Sequence, residues 1–238
     1  MARVAREGGI EGATGYRFCL LRLGPKETER LMALRREPAT VNDLLVAGLA
    51  IAIGRFNSER GMQAGRISVM MPVNVRPPAW AGEVVANILS FVSVTVEERE
   101  QADLGIAQLA VAARTRELKE QGLAGAMIDL LRLGSAWPVG VRHFVARAVR
   151  GPIGDKVADT TILSNLGAIE PPLDFGGGAG AVTELWFSPP GQMPLGAAIG
   201  VASINGEMFI ALRYCPAQFD TTGAAAFAAA WREVLRGG

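Results

Sequence analysis

The chain has 238 residues, half of them apolar and 20% charged, with 24 Lys and Arg against 23 Asp and Glu. This is the composition of a soluble globular protein with one large domain or two small ones, and a core of useful size can be buried. No basic block supplies the footprint that a phosphate backbone demands, so nucleic acid is excluded as the expected partner.

Residues 1–15, "MARVAREGGIEGATG", are rich in Gly, Ala and charge without a period, and read as a leader or the remnant of a linker ahead of a unit spanning 16–238. They lack the apolar stretch of a signal peptide, and a cytoplasmic protein is expected. "YRFCLLRLG" (16–24) alternates like a strand entering a core. Pro25 then opens a short polar helix that Pro38 closes.

"TVNDLLVAGLAIAIGRF" (40–56) is the clearest helix, with Thr40 as cap, Asp43 three residues on, and Val41, Leu44, Leu45, Gly48, Leu49, Ala52 and Phe56 on one face. Gly48 and Gly54 suggest close packing. Its apolar run, 44–54, falls short of the roughly 20 residues that cross a bilayer, so no membrane span is expected. "RISVMMPVNV" (66–75) and "ANILSFVSVTVE" (86–97) have the β-branched content of strands. Between 102 and 150 the pattern is helical, with breaks expected near Gly122–Gly125 and Gly134–Pro138.

The last third changes character. Strands are expected over 159–165, 181–187, 195–204 and 207–215, the last pair joined by the turn "INGE". A closing helix follows, with Thr221 or Thr222 as cap and Phe227, Trp231, Val234 and Leu235 on one face. The class implied is α/β, a mixed β-sheet layered with helices.

Candidate chemistry is sparse. His143 is the only histidine; at helical spacing it shares a stripe with Arg147 and Arg150, which marks a solvated face with no acid nearby to orient a base. Cys19 and Cys215 stand outside any CxxC and read as core thiols in a reducing compartment. No metal site is implied, since the carboxylates lack ligand spacing. "DFGGGAG" (174–180) has no GK[ST] and no following helix, so it reads as a flexible turn.

"TTILSNLGAI" (160–169) reads as a strand running into a turn. Ser164 and Asn165 could tie down the strand end while Gly167 permits a positive φ. Equally, a hydroxyl and an amide at that end could project into a cleft as donors to an oxyanion during acyl transfer. No G-x-S-x-G is present, so Ser164 is not a nucleophile of the elbow type.

Four stretches together resemble the C-terminal half of the condensation-domain and wax-ester-synthase-like acyltransferase superfamily, whose fold is that of chloramphenicol acetyltransferase. "TVNDLLVAGLAIAI" is similar to the helix that opens this half. "VMMPVNVRP" with "ANILSFVSVTV" resembles its strand pair, with Arg76 and Asn87 in matching places and Ala86 where glycine is usual. "TTILSNLG" resembles the late SNxG strand, and "MFIALRYCPAQFDTTGAAAFAAAW" the closing strand and helix.

The resemblance implies an active site in a tunnel between two halves, where an HHxxxDG histidine acts as general base and an acyl group leaves a thioester. It implies Ser164 as donor to the oxyanion with Asn165 as its support, and structural roles for Arg76 and Asn87. HHxxxDG is absent here. The expectation is therefore a half that is inactive alone and is completed by an N-terminal-half polypeptide. No bound cofactor is expected; the acyl donor would ride on coenzyme A or on the phosphopantetheine of an acyl carrier protein. The alternatives are a non-catalytic module that docks on a carrier or partner, and a self-associating homo-oligomer.

Overall fold

The computed structural model describes residues 1–80, 88–121, 137–141, 143, 159–170, 173–191 and 195–237. Asn87, Ala86 and nearly all of the helical pattern expected over 122–150 lie outside them. Six strands form one sheet in the order β1-β6-β5-β4-β2-β3. They are β1 (Arg17–Leu23), β2 (Ile67–Asn74), β3 (Leu89–Val96), β4 (Thr161–Ala168), β5 (Ala197–Ile204) and β6 (Glu207–Tyr214). β4 runs parallel to β2 and β5, and the remaining neighbours are antiparallel. With α1 (Pro25–Ala33), α2 (Val41–Glu59), α3 (Leu104–Glu120) and α4 (Thr221–Leu235), this is the mixed α/β architecture expected.

α2 begins where the sequence places it. Thr40 Oγ1 accepts from Asp43 N at 3.3 Å while Asp43 Oδ2 accepts from Thr40 N at 2.8 Å, a reciprocal cap. The single apolar face expected is too narrow a description: every residue from Asp43 to Asn57 except Arg55 is buried. The helix is enclosed by α3, α4 and β2, and a helix apolar all round is the pattern of a core element. Gly48 allows the approach of α4, since a Cβ there would lie 3.0 Å from Leu235 Cδ2. An aromatic cluster of Phe56, Phe219 and Phe227 closes this part of the core, with Phe56 edge-on to both partners.

Several expectations are corrected. α1 ends at Ala33 rather than near Pro38, because Leu34 N turns back to Leu31 O at 3.1 Å. α4 is capped by Asp220, whose Oδ1 accepts from Gly223 N at 2.6 Å, and not by Thr221 or Thr222. No strand forms over 181–187; Ala181 makes only an isolated bridge with Asp174, and Trp186 packs edge-on against Phe209 with centroids 5.0 Å apart. This stretch crosses the face of the sheet, and an added Cβ at Gly200 would collide with the Phe187 carbonyl. β1 is an edge strand whose Phe18 and Leu20 are 55% and 53% exposed, so only its other face meets the core.

The first residues pack against the domain. Val4 and Ala5 are buried. Asn57, fully buried in α2, accepts from Ala5 N through Oδ1 at 2.7 Å and donates from Nδ2 to Arg3 O at 2.8 Å. Gln218 donates Nε2 to the carbonyls of Val4 and Ala5 at 2.8 and 2.9 Å. An aperiodic segment can be ordered in this way because buried side-chain amides replace the ladder partners that its backbone lacks.

The turn readings stand. Asp174 Oδ1 accepts from Gly176 N at 2.7 Å within "DFGGGAG", and Asn205 and Gly206 of "INGE" take φ of 54° and 75° between β5 and β6. Cys215 is buried, and Cys19 is half-buried, which raises its thiol above the usual range. No described helix is long and apolar enough to cross a membrane.

Candidate functional site

β4 sits near the middle of the sheet, and its two ends differ in kind. At the amino end the buried Asp159 accepts from Ser68 Oγ of β2 at 2.5 Å and from Ser93 Oγ of β3 at 2.8 Å. Thr160 Oγ1 accepts from Ser68 N at 3.1 Å and donates to Ala2 O at 2.7 Å. Sequence reasoning passed over Asp159; the available signal was an acid directly before a strand, whose partners only the sheet order reveals.

At the carboxyl end Ser164 is buried, at 6% exposure, yet it lines a cleft of about 240 Å³. Its neighbours there are Pro72, Asn74 and Arg76 at the end of β2, Ile88 and Leu89 at the start of β3, and Asn165 and Leu166 of β4 itself. Among the described residues no hydrogen bond engages the Ser164 hydroxyl. Among the described residues of this wall the charged side chain is the cationic Arg76, half-buried, and the polar groups facing the cleft suit an acceptor that gains negative charge.

The strand does not simply end after Ser164. Its pairing with β5 shifts register between Asn165 and Ala168, and Gly167 takes a φ of 76° within that bulge. Asn165 Oδ1 accepts from Gly167 N at 2.9 Å and fixes the bend. So Asn165 and Gly167 act together on the backbone, while the Ser164 hydroxyl remains uncommitted beside them. Asn165 reaches Ser164 only through the chain, as a positioning residue.

Arg76 was expected to help hold the strand pair in register. The ladder of β2 and β3 runs unbroken from Ile67↔Val96 to Asn74↔Leu89, with Arg76 beyond its last pair. Its amide donates to Asn74 Oδ1 at 3.0 Å, and its side chain lines the cleft. His143 is exposed and is not part of this cleft, as its solvated stripe implied. Among the described residues no cluster of three His, Cys, Asp or Glu could hold a metal ion.

A mixed sheet of this order, with a buried helix between its edge strand and the late parallel strand, defines the fold: it is the fold of one half of a condensation-domain or chloramphenicol-acetyltransferase-like protein. The trichothecene 15-O-acetyltransferase from Fusarium sporotrichioides superposes with a TM-score of 0.71 at 16% identity, over 99% of this chain and 49% of that one. The epimerization domain from the third module of tyrocidine synthetase B gives 0.68 at 15%, over 100% of this chain and 51% of that one. The first condensation domain of the CDA synthetase gives 0.59 at 15%, over 94% and 45%.

Two uncharacterized proteins of Mycobacterium tuberculosis are 35% identical over 237 residues, which is 98% of this chain and 54% of theirs. The chain thus spans about half the length of the curated relatives it matches. No protein-family profile matches it.

Proposed function

We propose that the chain forms one half of a condensation-type acyltransferase that acts on thioester-bound acyl groups in lipid or natural-product biosynthesis. The observation that carries this reading is the Ser164 hydroxyl, buried, unbonded among the described residues and set on a cleft beside Arg76. The half-length likeness to acetyltransferase and condensation domains supports it.

In the reaction, a hydroxyl or amine attacks the thioester carbonyl carbon and the carbonyl oxygen gains negative charge. Ser164 donates its hydroxyl hydrogen to that oxygen. The tetrahedral centre then collapses, the carbon–sulfur bond breaks, and the thiolate of coenzyme A or of a carrier protein's phosphopantetheine departs. Asn165 holds the bulge that keeps Ser164 facing the cleft, and Arg76 supplies a positive field at its mouth. The proton of the attacking group goes to a general base, the HHxxxDG histidine of a second half, since the described residues of the cleft wall include no titratable base.

The test is to co-express the chain with a polypeptide that carries HHxxxDG and to follow thiol release from acyl-coenzyme A. The chain alone is expected to be inactive, the complex active, and Ser164→Ala lowered about 10² to 10³-fold in kcat with KM little changed. Unaided transfer by the chain, or an unchanged rate in Ser164→Ala, overturns the reading. A tight complex without turnover would instead assign a docking role.

A further inference from the structure

β2 lies inside the sheet, with β3 on one side and β4 on the other, yet it carries a proline at position 72. Proline is confined as a rule to edge strands, because it has no N–H to give to a neighbour. The direction in which the missing donor would point decides what Pro72 does.

Ser68 fixes that direction. Its carbonyl accepts from Thr160 N at 2.8 Å, at the start of β4, while Thr95 O, opposite it on β3, accepts from Arg114 Nη1 at 2.8 Å instead of from β2. Even-numbered residues of β2 therefore turn their N and O atoms toward β4. Odd-numbered ones turn toward β3, as Val75 N does just past the strand in donating to Ile88 O at 3.2 Å.

Pro72 belongs to the even set. On the β3 side its ring costs nothing, and the ladder passes through Pro72↔Phe91 unbroken. On the β4 side a parallel ladder would next join residue 72 to the Leu163 carbonyl, and that donor is absent. Pairing of β2 with β4 stops there, after Val69↔Thr161 and Met70↔Ile162.

The stop falls beside Ser164. Two residues on from Met70↔Ile162 the same register would set Pro72 opposite Ser164, and these two residues line the cleft of about 240 Å³ instead. On its other side β4 stays paired with β5 through Ser164↔Gly200 and Asn165↔Val201. The serine thus sits on a strand that is held from one side only.

We infer that Pro72 is a positioning residue for the chemistry at Ser164: by withholding one N–H it keeps β2 and β4 from closing together past Met70 and Ile162, and so keeps a slot open at the Ser164 hydroxyl. The catalytic consequence rests on the acyltransferase reading above, whereas the slot itself is tested without it. Pro72→Ala restores the N–H and removes the ring. Loss of the ring alone would widen the cleft and the new hydrogen bond would close it, so the direction of change separates the two.

The chain alone suffices for the test. Ser164→Cys places a thiol at the slot, and its alkylation by iodoacetamide is followed by peptide mass spectrometry, which distinguishes it from Cys19 and Cys215. Adding Pro72→Ala is expected to slow that alkylation at least about fivefold, the equilibrium worth of one backbone hydrogen bond. The new amide at position 72 is expected to be protected from hydrogen exchange, and the urea midpoint to stay in place, since the added bond offsets the chain entropy that proline removes. Pro72→Val, which restores the same N–H on a residue that favours strands, is expected to act alike.

Alkylation that is unchanged or faster, an amide at position 72 that exchanges freely, or a midpoint lowered in both variants overturns the inference. In the complex with an HHxxxDG polypeptide, Pro72→Ala is expected to lower kcat/KM by the factor seen in alkylation. The two readings fail separately. If alkylation slows but Ser164→Ala leaves transfer unchanged, the slot stands and the catalytic reading falls; if Ser164→Ala stops transfer while alkylation ignores position 72, Pro72 is not what holds the cleft open.

Discussion

At the amino end of β4 each polar group has been given a partner from elsewhere in the chain, whereas at the carboxyl end one buried hydroxyl has been left without any among the described residues. Asp159 and Thr160 tie β2, β3 and the first residues of the chain together through the hydroxyls of Ser68 and Ser93 and the carbonyl of Ala2. A few residues later Ser164 is as well buried, but it opens on a cleft. Buried polar groups are nearly always paired, because desolvation without a partner costs about 1 to 3 kcal/mol. On the acyltransferase reading proposed above, the contrast within one strand separates a stability device from a chemical one.

Substitutions at the two ends sharpen that contrast. The largest effect belongs to Ser164→Ala, a loss of about 10² to 10³ in the turnover of the completed enzyme, with its urea midpoint unchanged. A destabilised variant with normal turnover would invert the assignment of the two ends.

At the other end, Asp159→Ala strips the acceptor from Ser68, which is 1% exposed, and is expected to lower unfolding free energy by about 1 to 3 kcal/mol in a urea titration. Should the midpoint stay where it is, the network is not holding the sheet.

Gly167→Ala probes the bulge between them. A Cβ there meets no neighbour, so its cost is backbone strain alone, about 1 to 2 kcal/mol for an L-residue at a φ of 76°. Alanine tolerated without loss would mean that the bulge relaxes and Asn165 no longer needs its Gly167 partner.

The smallest effect lies away from both ends, where Glu27 of α1 accepts from Arg232 at 2.7 Å and from Arg236 at 2.7 Å. Those hydrogen bonds lower its pKa to about 2. A carboxyl depressed in the folded state contributes its stability above the unfolded value, near pH 4, and loses it as pH falls toward 2. The site is partly exposed, at 23% of the side chain, so the contribution is about 1 kcal/mol or less. Glu27→Gln is expected to lower the neutral plateau of a stability profile by about 1 kcal/mol or less and to flatten its acid limb between pH 4.5 and 2.

Part of this was legible in the residues themselves. The Thr40–Asp43 cap, the β5–β6 turn at Asn205–Gly206 and the strand-like runs of β2, β3 and β4 rest on local preferences, and each appears where its pattern placed it. The bend at Gly167 was legible too, though as a turn rather than a bulge. The strand expected over 181–187 was misread because its alternation serves to cover a sheet face through Trp186, a role that has the same local pattern as a ladder. The packing of residues 2–5 was not legible for the opposite reason: their partners, Asn57, Thr160 and Gln218 among them, lie far along the chain.

The candidate site divides along the same line. Ser164 stood out as a polar residue at the end of an apolar strand, and its resemblance to an SNxG serine led to the right fold. Arg76 was singled out only for a structural role, and Leu89 and an apolar cavity beyond Asn165 did not stand out, because nothing in their own surroundings sets them apart from ordinary loop and core residues.

By itself the sequence determined the elements and their class, since helix caps, turn glycines and strand periodicity depend on a handful of adjacent residues. Only the tertiary structure decided that β4 lies between β2 and β5 and so carries Ser164 to the end of Arg76's strand and Asn165 to the edge of a cavity walled by α1 and β6. Parallel pairing joins strands through long crossovers, and the burial that drives it is a property of the assembled sheet and helices rather than of any one segment.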